Sequence, residues 1–144
     1  MRINNIEPKD SICYLAIQAV RKILAYYNRA LEPLGLTAQQ VMAINVLMRE
    51  DGLSLGVFAK RAGMGKAAAV TMIKRLERME LVAKKINPRD ARLNVLTLTE
   101  KAKEQCEKIK PISEKIEKNI EETLGVDDVE SLIKGLTSIQ NLDI

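Results

Sequence analysis

The side chains able to do chemistry in this sequence are few and mostly of one kind. Lys66, Lys74 and Arg75 recur at helical spacing, with Thr71 among them and Ala67 and Ala68 beside them. Arg89 and Arg92 flank Asp90 in a polar stretch further on. Clustered cationic nitrogens bind anions, neutralising phosphate charge and donating hydrogen bonds to phosphate oxygens or base edges. The wider charge pattern agrees. Between Leu53 and Arg92 ten basic residues meet three acids, a net of +7, whereas the rest of the 144-residue chain nets −3. A basic centre with mildly acidic flanks points to a polyanion, and nucleic acid is the commonest one. The plainer alternative is a solvated charged face.

Other chemistries are excluded or thinly supported. The chain has no histidine, which removes imidazole acid–base catalysis, Ser-His and Cys-His nucleophiles and imidazole-bound zinc. Cys13 and Cys106 are the only cysteines, too few for an all-thiolate zinc site or a disulfide framework. With no Gly-rich phosphate loop and no paired-carboxylate motif, neither an enzyme nor a bound cofactor or metal is expected. No stretch of about 18 apolar residues is present to span a membrane, and the N-terminus carries Arg2, Glu7, Lys9 and Asp10. A cytoplasmic protein without a membrane partner is the expectation.

The elements that must position these residues are legible from periodicity. Ile12 to Leu34 places Ile12, Leu15, Ala16, Ala19, Val20, Ile23, Leu24, Tyr27, Ala30, Leu31 and Leu34 at three- and four-residue steps, an amphipathic helix stopped by Pro33 and Gly35. Thr37 with Gln40 predicts a capping box, opening a helix whose buried stripe is Val41, Ile44, Leu47 and Met48. Ser54 caps a short helix, Leu55 to Ala62, which turns at Gly63 into another from about Gly65 to Glu80. The latter buries Ala69, Val70, Ile73, Leu76 and Met79 and exposes Lys66, Ala67, Thr71, Lys74, Arg75 and Arg78. Val82–Ile86 and Leu93–Leu98 then read as two strands joined by the loop Asn87–Arg92. Thr99 caps a long helix lined by Ala102, Cys106, Ile109, Ile112, Ile116, Ile120 and Leu124, which Pro111 should kink or split near Lys110. Asp127 with Glu130 starts a last helix carrying Val129, Leu132, Ile133, Leu136 and Ile139.

Two short helices joined at a glycine and followed by a basic hairpin predict a winged helix-turn-helix. The fold class is mainly α with a small β-hairpin wing. Residues 37–98 form the DNA-binding lobe, and 11–35 and 99–142 form a helical dimerisation region, within a single domain, 1–144. One helix fills a major groove, where each base pair shows its own donor and acceptor pattern, while the wing reaches the minor groove. The apolar stripes of the flanking helices exceed what one lobe can cover. A second copy is expected to cover them, the alternative being a closed monomeric core.

The segments Leu34-Gly35-Leu36-Thr37-Ala38-Gln39-Gln40, Leu76-Glu77-Arg78-Met79-Glu80-Leu81-Val82, Asn87-Pro88-Arg89-Asp90-Ala91-Arg92 and Leu96-Thr97-Leu98-Thr99 together resemble the MarR family of bacterial transcriptional regulators. The resemblance covers Ile12 to about Leu124. It implies a homodimer, each subunit carrying one winged helix-turn-helix. Such a dimer represses genes from a near-palindromic operator on double-stranded DNA and responds to a small aromatic or phenolic ligand. By matching position it implies Arg92 in the minor groove, held by Asp90, with Lys66, Ala67, Ala68 and Thr71 facing bases. Lys74, Arg75 and Arg89 join them as DNA contacts. The family often carries Ser or Thr where this chain has Ala67 and Ala68, so readout leans on shape and on apolar contact such as a thymine methyl. The ligand pocket would draw on Tyr14, Arg21, Tyr27, Met42 and Met48.

Two alternative functions stay open. Cys13 and Tyr27 match the peroxide-sensing branch of the family, although Ile17 stands where that branch has a second tyrosine; a thiol-based repressor using Cys13 is therefore one alternative. A protein-interaction module that keeps the fold without DNA readout is the other.

Overall fold

The computed structural model describes residues 7–144, and of Ala91 and Arg92 the backbone alone. The element order is α1 (Ile12–Leu31), α2 (Ala38–Arg49), α3 (Leu55–Arg61), α4 (Lys66–Arg78), β1 (Val82–Asn87), β2 (Asp90–Leu98), α5 (Glu100–Leu124) and α6 (Val126–Gln140). The chain divides into two compact units, one ending at Ile109 and one from Lys110 to Ile144. The fold is mostly helical with one two-stranded antiparallel hairpin.

In the first unit, side-chain caps set the helix starts. Thr37 Oγ1 accepts from the Gln40 amide at 3.2 Å and Gln40 Oε1 from the Thr37 amide at 3.0 Å, so two amides left over at the start of α2 are satisfied reciprocally. Ser54 accepts from the Val57 amide to start α3. The Gly63 turn joins α3 to α4 at φ 65, a left-handed conformation that a side chain would strain. It lets the Met64 amide reach the Ala59 carbonyl at 2.9 Å, which closes the end of α3. Helix α1 stops at Leu31, and Glu32–Leu34 tighten into a 3-10 turn rather than continuing the α-helix.

The core of this unit is aliphatic around a single aromatic ring. Leu31, Ile44, Leu47, Phe58, Ile73, Leu76, Leu81 and Leu96 are buried. Met48, expected in the buried stripe of α2, is instead exposed, while Ala38 and Ala43 are buried. Met48 follows Leu47 by about 100° around the helix, enough to swing it past the edge of the core.

The wing is anchored more firmly than a free hairpin. Leu53 forms a bridge to Leu96, donation from Leu96 to the Leu53 carbonyl being 2.7 Å, so β2 is flanked on both sides. Asp51 Oδ1 accepts from the Leu98 amide. Thr99 Oγ1 accepts from the Ala102 amide at 3.1 Å and donates to the Glu80 carbonyl at 2.6 Å, linking the start of α5 to the end of α4. Glu80 occupies the left-handed region at φ 61 without being glycine, and Lys101 Nζ donates to the adjacent Met79 carbonyl.

Helix α5 is unbroken from Glu100 to Leu124 with Pro111 inside it; the helix is not split at Lys110. Ala102, Ile109 and Ile116, spaced in sevens, are its buried positions. In the second unit α6 begins one residue before Asp127, with Gly125 as N-cap and no side-chain cap bond. Asp127 and Asp128 lie in its first turn, where their charge favours the helix N-terminus without capping it. No residue of α6 is buried. Among the described residues no helix is long and apolar enough to cross a membrane.

Candidate nucleic-acid interface

Helix α4 owes its orientation to one face and its chemistry to the other. Ala69, Ile73 and Leu76 are buried, fixing the helix by apolar contact on the i, i+4, i+7 row. The opposite face exposes Lys66, Ala67, Ala68, Thr71, Lys74, Arg75 and Arg78. Val70 and Met79, expected with the core, are half-buried at its edge. Among the described residues Lys66, Lys74, Arg75 and Arg89 join no ion pair. Their charge is therefore uncompensated locally, as an anion-binding face requires. Lys84 pairs with Glu77 at 3.4 Å on the surface; such exposed pairs are worth roughly 0–1 kcal/mol, so a phosphate can compete for the lysine.

The alanines leave the exposed side of α4 indented. Ala67, Ala68, Thr71, Met72 and Arg75 line a shallow concavity of about 350 Å³. Thr71 Oγ1 donates to the Ala67 carbonyl at 3.1 Å. Met72 was not singled out from the sequence; it follows Ala68 by one helical turn and is half-buried, so only the local geometry shows it as a wall.

At the wing the connection is shorter than the expected Asn87–Arg92 loop. Only Pro88 and Arg89 turn the chain, and pairing resumes at Asn87↔Asp90. Asn87 Oδ1 accepts from the Arg89 amide at 2.9 Å, a side-chain turn that closes the corner. The next pair is Ile86↔Asn94, so the register shifts there and β2 bulges over residues 91–93. Bulges bend a strand and re-aim its side chains. Arg92 occupies the middle of this one; its side chain, and with it the implied Asp90–Arg92 hydrogen bond, lies outside the described residues. Arg89 is exposed at the turn, and Ile86 and Leu93 are exposed beside it.

The remaining candidates are placed on α1 and α2. Tyr14, Arg21, Met42 and Met48 are exposed and Tyr27 is half-buried. A second concavity, of about 410 Å³, is lined by Asn28, Arg29, Glu32, Gly35, Leu36 and Thr37 and includes none of those five. Asn28 Oδ1 accepts from the Ala38 amide at 2.7 Å, tying α1 to the start of α2. Cys13 is exposed in the first turn of α1, where Ser11 accepts from the Tyr14 amide. Cys106 is half-buried; burial, and then the neighbouring Glu107 carboxylate, push its thiol pKa up, which disfavours the reactive thiolate.

Comparison with known proteins places this arrangement. A family model described as MarR family matches residues 34–93, the span from the turn before α2 to the wing bulge. The organic hydroperoxide resistance transcriptional regulator of Bacillus subtilis (strain 168) is 22% identical over 99 residues, 69% of this chain and 67% of its own length. A transcriptional repressor, CouR, solved bound to a 23-mer DNA duplex, superposes with a TM-score of 0.85 at 23% identity, covering 92% of this chain and 94% of that one. BpsR of Bordetella bronchiseptica, whose DNA binding is regulated by 6-hydroxynicotinic acid, gives 0.86 at 22% identity, covering 94% and 96%.

Proposed function

We propose that this chain is a winged-helix transcriptional regulator of the MarR type, a sequence-specific DNA-binding repressor that acts as a homodimer on a near-palindromic operator. The observation that carries the reading is the exposed cationic face of α4, without ion pairs among the described residues, followed in the same unit by a bulged basic wing. Helix α4 enters a major groove, Arg92 the neighbouring minor groove, and Lys74, Arg75, Lys84 and Arg89 hold phosphates. CouR, of the same fold, has been solved on duplex DNA.

The dimer rests on apolar faces left open in each unit. On α1, Ile12, Leu15, Val20 and Ile23 are exposed, and on α6, Leu132, Ile133, Leu136 and Ile139 are exposed. Such contiguous apolar stripes mark association surfaces, and two-fold dimers are the commonest solution. A two-fold pair sets its recognition helices about 34–36 Å apart, one helical turn of DNA. The single domain with residues 37–98 as DNA lobe and 11–35 and 99–142 as dimerisation region is the organisation this proposal uses.

The test is binding to the DNA upstream of the protein's own gene, followed as a function of salt. Four phosphate contacts per protomer, eight in the dimer, predict a log–log slope of about −7. A slope near half that value would assign the contacts to one protomer, and the absence of a shift at any salt would move the weight to a distant operator or to a fold serving protein interaction.

The effector is proposed to be a small aromatic acid or phenolic, with Arg21 pairing its carboxylate and Tyr14, Tyr27, Met42 and Met48 supplying apolar contact. Regulation of BpsR by 6-hydroxynicotinic acid supports that chemistry. A second reading, sensing of organic hydroperoxide through Cys13, draws on the exposure of that thiol and on the hydroperoxide-resistance regulator among the relatives. One release assay separates them. Aromatic acids are expected to free the DNA, and peroxide is expected to act equally on wild type and Cys13→Ser. Release by peroxide of the wild type alone would instead establish the thiol switch.

A further inference from the structure

A helix face that reads bases by hydrogen bonds needs free donors and acceptors at its centre, and α4 keeps few there. Ala67 and Ala68 carry only methyl groups. Thr71 has a single hydroxyl proton, and it is committed to the Ala67 carbonyl at 3.1 Å, a back-bond to the residue one turn earlier. What remains for contact is the Thr71 oxygen as an acceptor and the threonine methyl beside two alanine methyls. These three residues are exposed, and with Met72 and Arg75 they line a concavity of about 350 Å³ on a surface that a helix normally makes convex. Its lining is more apolar than polar, and longer side chains at Ala67 or Ala68 would fill it.

We infer that this notch receives the C5-methyl group of thymine, so that α4 reads thymine positions in the major groove by apolar contact. The inference rests on the DNA-binding reading above. In the major groove thymine is marked by its methyl and its O4 acceptor, whereas cytosine offers an N4 donor and no methyl. A methyl buried between the alanines, Thr71 and the stems of Met72 and Arg75 leaves water on both sides. Cytosine placed there lacks the methyl and forfeits this apolar contact, its N4 donor having the Thr71 oxygen as acceptor. The Arg75 head group stays free to reach a phosphate while its methylenes close the notch.

The experiment uses the full-length protein and a randomised duplex pool, from which bound sequences are selected. Each thymine of the selected half-site is then replaced singly by deoxyuridine, which deletes the methyl and leaves every hydrogen-bonding group. At one or more positions per half-site affinity should fall about four-fold, equivalent to about 0.8 kcal/mol for one buried methyl. Thr71→Val keeps a methyl and lacks the hydroxyl; it should keep the distinction between thymine and deoxyuridine. Thr71→Ser keeps the hydroxyl and lacks the methyl; it should bind more weakly and lose the distinction between thymine and deoxyuridine. Thermal melting of both variants verifies that they fold. Neutral deoxyuridine at every position, or a distinction lost in Thr71→Val and kept in Thr71→Ser, overturns the notch while leaving DNA binding intact. A pool that enriches no sequence overturns the DNA-binding reading itself, and the notch with it.

Discussion

Replacing Arg92 by alanine should weaken operator binding by about 10- to 100-fold without changing the stability of the fold. The position decides this. Arg92 lies in the register shift of β2, between the pairs Asn87↔Asp90 and Ile86↔Asn94 at the far end of the hairpin. A guanidinium inserted in a minor groove meets focused negative potential and offers several donors to the base edges and sugar oxygens on the groove floor. Lysine keeps the charge but not the planar fork, so Arg92→Lys should recover only part of the loss. Fluorescence anisotropy with a labelled operator measures the affinity, and urea unfolding in parallel should give an unchanged midpoint. Binding within two-fold of wild type, roughly the noise of such a titration against an effect of about 1–3 kcal/mol, would take the wing out of the interface.

Replacing Phe58 by alanine should destabilise the fold by about 3–5 kcal/mol, the range for deleting a fully buried aromatic side chain. Phe58 is the one phenylalanine of the chain and is 0% exposed. It sits in the middle of α3, a helix of only seven residues, too short to persist without tertiary contact. Against a total stability of about 5–15 kcal/mol for a typical domain, this loss removes much of the margin, and DNA binding should disappear with the fold. Phe58→Leu leaves a smaller void and should restore part of the stability. The urea midpoint at fixed protein concentration is the measurement, since association couples to unfolding in an oligomer. An unchanged midpoint would mean that α4 is held by something other than the α3 packing. The two substitutions thus separate contact from scaffold: Arg92→Ala should lose DNA at normal stability, Phe58→Ala should lose both.

Much of this protein is legible without coordinates, because the deciding interactions are short in sequence. The caps at Thr37, Ser54 and Thr99 act across three residues, and the exposed and buried rows of α4 follow from a 3.6-residue period. The excess of positive charge between Leu53 and Arg92 is likewise a property of composition. These local rules account for the winged helix-turn-helix and for which residues of α4 face outward. Met48 and the start of α6 departed from expectation at the margins of periodic segments, where one residue rotates a side chain by about 100°. The pairing of the wing shifted because an Asn87 side chain closed the turn early.

Other features were decided only by tertiary structure. The Asp51 carboxylate meets the Leu98 amide 47 residues away, Thr99 meets the Glu80 carbonyl 19 residues back, and Leu53 bridges to Leu96. No periodicity encodes such meetings, since each depends on where two independently formed elements come to rest. The notch on α4 lies within one helix, and there a local choice was left open. Ala67, Ala68 and Thr71 are plain in the sequence, yet the Thr71 hydroxyl could have pointed at DNA or at its own helix. The direction of that one proton, settled by a carbonyl one turn earlier, removes the donor from this face and leaves an acceptor oxygen beside three methyl groups.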